Sequence, residues 1–122
     1  MNETDPRFYV APSTIPGAGR GLFASVPLEA GAKLAVLGVL IERGSLADEC
    51  TQFADAHKMR VGESGLMIPL GFAGMVNHSL DPNVEKQVEG TTLYLCTLRP
   101  IAAHEELFYT YSDYARDRFG LD

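Results

Sequence analysis

The chain has 122 residues, with sixteen acidic side chains against ten basic ones and a net charge of −6. That length supports a single domain, residues 1–122, and the charge disfavours gripping a phosphate backbone as the main activity while suiting a cationic substrate. Hydrophobic residues at 46% and charged residues at 21% give a balance that folds and excludes a disordered chain.

In chain order, residues 7–11 predict a short strand, 12–19 a loop punctuated by proline and glycine, and 20–25 a return to extended chain. Residues 27–31 make another turn. Residues 33–41 carry the β-branched, apolar pattern of one buried strand, with Gly38 as a bend or bulge. Ser45 is placed to cap a helix and Asp48 completes a variant of the capping box, with Leu46, Cys50, Phe53, Ala54 and His57 on one apolar face. Residues 66–70 are apolar and extended, 71–76 are mostly small or apolar, and 77–83 are a polar run. Residues 84–88 and 91–98 pair as a hairpin around Glu89-Gly90. After the Arg99-Pro100 break, alternation over 106–111 puts Leu107, Tyr109 and Tyr111 on one face. Ser112 can cap a short terminal helix ending at Gly120. The pattern is mainly β with short helices.

The longest apolar run, 34–41, is too short to cross a bilayer, and the first residues lack the basic-then-apolar order of a signal peptide. Cys50 and Cys96 make no C-x-x-C pair, which predicts a reduced intracellular protein with both thiols in the core. Its compartment is then the cytoplasm, or the nucleus and chromatin in a eukaryotic cell.

The run Gly17-Ala-Gly-Arg-Gly21 fails the dinucleotide fingerprint, because Leu22 stands where the third glycine belongs and a strand follows. Read on its own it is a turn, or a backbone bare enough for a cofactor to lie against. The polar run Asn77-His-Ser-Leu-Asp-Pro-Asn83 has the composition of a surface turn, but its place after an apolar stretch is one where loops carry sites. His57, His78 and His104 have no zinc-like spacing, so no metal is expected. Glu105-Glu106 is a solvated edge with one structural carboxylate. Tyr94, Tyr109, Tyr111 and Tyr114 are either aromatic core or the wall of a narrow channel that orients a polar ligand.

Together these segments resemble a SET-domain protein-lysine methyltransferase, over about residues 15–111 and in the family's order. Pro16-Gly-Ala-Gly-Arg-Gly-Leu-Phe-Ala24 is similar to the family's opening G-x-G segment. Asn77 to Asn83 matches N-H-S-x-x-P-N, and residues 99–111 match the closing segment that contains G-E-E-L and ends in the catalytic tyrosine. The wording around residues 70–79 is similar to the very small stand-alone SET proteins of viruses and bacteria. Four positions depart from the pattern: Gly74-Met75 replaces the usual Arg-Phe, His104 a glycine, and Thr110 an aspartate.

The resemblance implies small β-sheets with a knot-like crossing of the closing segment. It implies S-adenosylmethionine as cofactor, without a metal, and a lysine-containing protein or peptide as substrate, a histone tail being a candidate. The backbone at Gly19, Arg20 and Gly21 would contact the cofactor, Asn77 its amino-acid end and the His78 backbone its adenine. Tyr111 would be the catalytic tyrosine with Tyr109 beside it in the channel. In the tail, 112–122, Tyr114 would line the lysine entrance and Phe119 would pack over the adenine. A symmetric homodimer is expected, and neither nucleic acid nor a membrane is. The alternative is a SET-fold binding module without turnover.

Overall fold

The computed structural model describes residues 5–55, 58–90 and 92–111. Among the described residues, ten short strands form four small sheets, and the helices are single turns or little more. None of those helices is long and apolar enough to cross a membrane. This is the mainly β architecture that the sequence pattern predicts.

Strand β1 (Phe8–Pro12) pairs antiparallel with β2 (Arg20–Ala24), whose residues are buried from Gly21 onward. The apolar stretch expected as one strand is two. Residues Lys33–Val36 form β3, and Gly38–Glu42 form β4 in a different sheet. Gly38 lies so close to the Ile68 backbone that a Cβ there would collide with the carbonyl, so a bend at glycine lets the chain change sheets.

The helix also departs from its predicted form. It spans only Leu46–Cys50 (α1), followed by a 3-10 turn at Gln52–Ala54. Ser45 caps it as expected, its hydroxyl accepting from the Asp48 N–H at 3.2 Å. The Asp48 carboxylate, however, accepts from the Gly44 N–H at 2.8 Å and does not close a capping box. The predicted apolar face is turned outward: Leu46 is 75% and Phe53 87% exposed, and Cys50 is exposed as well. Only Ala54 of that face is buried, and His57 lies outside the described residues. The segment is held by charge, with Lys58 buried and its Nζ 2.7 Å from Asp48 and 2.6 Å from Asp55. Periodicity of apolar residues misses such an anchor, because the group that goes inside is an ion pair.

Strands β5 (Met59–Val61) and β6 (Gly65–Pro69) complete the sheet in the order β4-β6-β5, and β5 had no signal of its own in the sequence. A 3-10 turn at Phe72–Met75 leads into β7 (Asn77–His78). The predicted hairpin forms as β8 (Val84–Glu89) and β9 (Thr92–Thr97), turning at Gly90 with φ 61°. β9 is central in the order β3-β9-β8. The last strand, β10 (Phe108–Tyr109), pairs parallel with β7. One core unites these sheets, including Leu22, Leu34, Val84, Leu93, Leu95 and Leu107, and of the two thiols expected in it only Cys96 is buried, Cys50 being exposed on the outward face of α1.

Candidate active site

Three sequence-distant segments meet where β10 begins. Residues 104–107 run along the edge of β2 left free by β1: the Ala24 N–H donates to the Glu105 carbonyl at 3.0 Å and the Leu107 N–H to the Leu22 carbonyl at 2.8 Å. At the very next residue the chain leaves β2 and pairs with β7, placing Phe108 opposite Asn77 and Tyr109 opposite His78. The closing segment is therefore bonded to the opening strands on one side and to the polar run 77–83 on the other.

Glu106 organises this junction. It is only 4% exposed and accepts from the Thr14 N–H at 2.7 Å, the Thr14 hydroxyl at 2.6 Å and the Ser13 hydroxyl at 2.8 Å. Burial pushes its carboxyl up, yet these bonds, with one from Asn77, outweigh burial and hold it below the ordinary carboxylate value. Gly21 has to be glycine because a Cβ there would strike the Glu106 carboxylate. Glu105 is no solvated edge either. Its bond from Arg99 draws the carboxyl down to about 2, helped by the Ala102 N–H and Asn83.

Asn77 joins the segments directly, its Nδ2 donating to the Arg20 carbonyl at 3.0 Å and to Glu106 at 3.3 Å. Asn83 does the same for the strand that follows. Its amide donates to the Glu106 carbonyl and accepts from the Phe108 N–H, each at 2.8 Å. Neither Asn83 nor Glu106 was singled out in the sequence as a site residue, although both stand in its motifs.

The aromatic side of the junction is built on His78. Its Nδ1 accepts from the Tyr111 N–H at 3.0 Å, which fixes that nitrogen as unprotonated, and its ring lies 5.0 Å from the Tyr111 ring. The Tyr109 ring is also 5.0 Å from that of Tyr111, so the two tyrosines on the predicted common face do touch. The Tyr111 hydroxyl donates to the Val76 carbonyl at 3.3 Å. Burial raises both phenols, Tyr109 the more strongly, so at neutral pH each is a hydrogen-bond donor and not a base. Tyr94 is elsewhere, under the Lys33 ammonium at 5.3 Å. Tyr114 and Phe119 lie outside the described residues.

The position where His104 replaces the expected glycine has φ 68°, a conformation that favours glycine. There the histidine gains a bond between Nδ1 and the Tyr9 hydroxyl at 2.9 Å.

Openings surround the junction. One of about 260 Å³ is lined by Val10, Arg20, Phe72 and Met75, and one of about 220 Å³ by Tyr109 and Thr110 with residues of β8. Gly19, with φ 76°, has open space where a Cβ would stand, so its backbone is free for a ligand to approach. The Asn77 amide, bonded to the Arg20 carbonyl, brings the polar run 77–83 beside the glycine segment. Among the described residues, no three of His, Cys, Asp and Glu are grouped to hold a metal ion.

The family model of the SET domain matches residues 19–112. Among solved structures, a chain of ctPRC2 in an autoinhibited conformation bound to S-adenosylmethionine superposes with TM-score 0.72 at 18% identity, over 94% of this chain and 17% of that one. A chain from the crystal structure of an active polycomb repressive complex 2 in the basal state gives TM-score 0.74 at 22% identity, over 87% of this chain and 15% of the other. The present chain thus spans about a sixth of the length of either. No curated protein matches it.

Proposed function

This chain belongs to the SET-domain family, and on that premise we propose that it is a protein-lysine N-methyltransferase that takes its methyl group from S-adenosylmethionine. The observation that carries the reading is the aromatic pair at the end of the closing segment. Tyr111 is tied to His78 through its N–H and to Val76 through its hydroxyl, with Tyr109 against it.

When bound, S-adenosylmethionine supplies a methyl group on a cationic sulfur, which requires only an aligned and neutral amine. The chain's own residues would provide both conditions. The backbone of Gly19, Arg20 and Gly21 and the Asn77 and His78 positions would hold the cofactor, with Phe119 over its adenine. Tyr109 and Tyr111 would line a dry acceptor channel entered past Tyr114. Desolvation in such a channel lowers the pKa of a lysine. The Tyr111 hydroxyl fixes geometry as a neutral donor, in keeping with its raised pKa.

A net charge of −6 suits a lysine-rich segment such as a histone tail. A second copy of the chain is the partner that suits the exposed Val39 and Leu40 on the edge strand β4. Calorimetric titration with S-adenosylmethionine, followed by labelled methyl transfer to a histone mixture, tests the reading. Binding with label on lysine is expected; no binding heat and no label would overturn it.

A further inference from the structure

Each of three openings among the described residues presents an arginine or a lysine. Arg99 is paired with Glu105, and Lys86 donates to the Arg60 carbonyl. Arg20 is different: among the described residues its guanidinium has neither a hydrogen bond nor an ion pair. The strand register sets Val10 opposite Leu22 and Pro12 opposite Arg20, so Val10 and Arg20 share one face of the β1–β2 pair. With Phe72 and Met75 from the 3-10 turn, and Gly71 just before it, they line the opening of about 260 Å³. Glu106 lies on the other face of β2, where a Cβ on Gly21 would strike its carboxylate. One exposed cation thus stands without a counter-charge at the edge of an otherwise apolar opening. Two contacts join that opening to the junction. Asn77 donates to the Arg20 carbonyl at 3.0 Å, and Val76, the residue after Met75, accepts from the Tyr111 hydroxyl at 3.3 Å.

We propose, on the reading of the chain as an S-adenosylmethionine-dependent methyltransferase, that the Arg20 side chain is the specificity-determining residue for the cofactor's amino-acid end, its guanidinium pairing with the α-carboxylate. The opening is smaller than the roughly 300–1,000 Å³ that holds a whole drug-sized ligand, so it suits one end of an elongated molecule. That end must combine an anion with a short apolar stem. An arginine fork matches a carboxylate bidentately, and Val10, Phe72 and Met75 offer the stem an apolar wall. A chain with a net charge of −6 repels an anion unless a cation is placed for it, and strand alternation keeps Glu106 off the face that carries Arg20. Arg20 thereby gives the glycine segment a charged group as well as bare backbone.

Calorimetric titration of the full chain with S-adenosylmethionine, and with decarboxylated S-adenosylmethionine, which lacks the α-carboxylate, tests this. The wild type should bind the first roughly tenfold or more tighter than the second, the scale of one charge-assisted pair. Arg20→Met should weaken S-adenosylmethionine by that factor and leave the decarboxylated compound within about twofold. Arg20→Lys, which keeps the charge but not the fork, should retain part of the preference. Because Arg20 is exposed, neither variant should move the unfolding midpoint. Equal affinity of the wild type for the two compounds, or equal weakening of both by Arg20→Met, would overturn the proposal. If Arg20→Met does not fold, the wild type's preference and the lysine variant still decide it. A wild type that binds neither compound overturns the function proposed above and this assignment with it, whereas one that binds S-adenosylmethionine no better than Arg20→Met does overturns the assignment alone.

Discussion

The closing junction and the helical insertion of residues 44–58 both bury charge, but in opposite ways. At the junction, Glu106 is held by backbone and hydroxyl donors from the opening loop and by Asn77. In the insertion, Lys58 is held by two carboxylates of the same short stretch, while Leu46 and Phe53 stay in water. The difference teaches that one buried charge ties together segments some ninety residues apart, and the other stabilises only its own neighbourhood. The first builds a site. The second fixes a loop.

The comparison can be broken most forcefully at Lys58. Replacing it with Met leaves the buried Asp48 carboxylate without its ammonium partner and should cost about 3–5 kcal/mol of stability, measured by chemical denaturation. A loss under about 1 kcal/mol would mean that the ion pair is not what anchors the insertion.

Glu106→Gln should cost about 2–3 kcal/mol, because an amide presents two donors of its own to the donors of Ser13, Thr14 and Asn77. The loosening should spread to residues 13–14 and 77–83 in hydrogen exchange. Confinement of the change to residues 104–107 would remove the idea that this carboxylate joins distant segments.

Tyr111→Phe removes a hydroxyl but little volume. Turnover should fall about tenfold or more, on the scale of one lost transition-state contact, while the unfolding midpoint barely moves. Unchanged turnover would dissociate the junction from catalysis. The smallest effect is expected at Phe53, where Phe53→Ser should change stability by less than about 0.5 kcal/mol in thermal unfolding, as for an exposed surface position. A larger loss would reinstate the apolar face predicted from the sequence.

What the sequence made legible follows the same division. The hairpin 84–97, the opening strands and the burial of Leu107 and Tyr109 were readable because alternation reports which face meets the core. The residues of the junction were readable as motifs, since polar groups with fixed partners must recur at fixed spacings. Their partners were not. Nothing local to Glu106 says that its donors lie at 13 and 14, and nothing near Gly21 says that a carboxylate fills the space of its Cβ. In the insertion the 3.6-residue periodicity of Leu46, Cys50 and Phe53 misled, because a salt bridge outweighed the apolar stripe in deciding what faces inward.

The attachment of residues 104–109 to both β2 and β7 also orders events in time. Leu107 bonds to Leu22 and Tyr109 pairs with His78, contacts that no chain can make before residue 109 has left the ribosome. Loop closure over such separations is slow, so the local hairpin forms first and the junction last. A nascent chain that has exposed residues 19–83 therefore carries the glycine loop and the Asn77 run before Tyr109 and Tyr111 can join them.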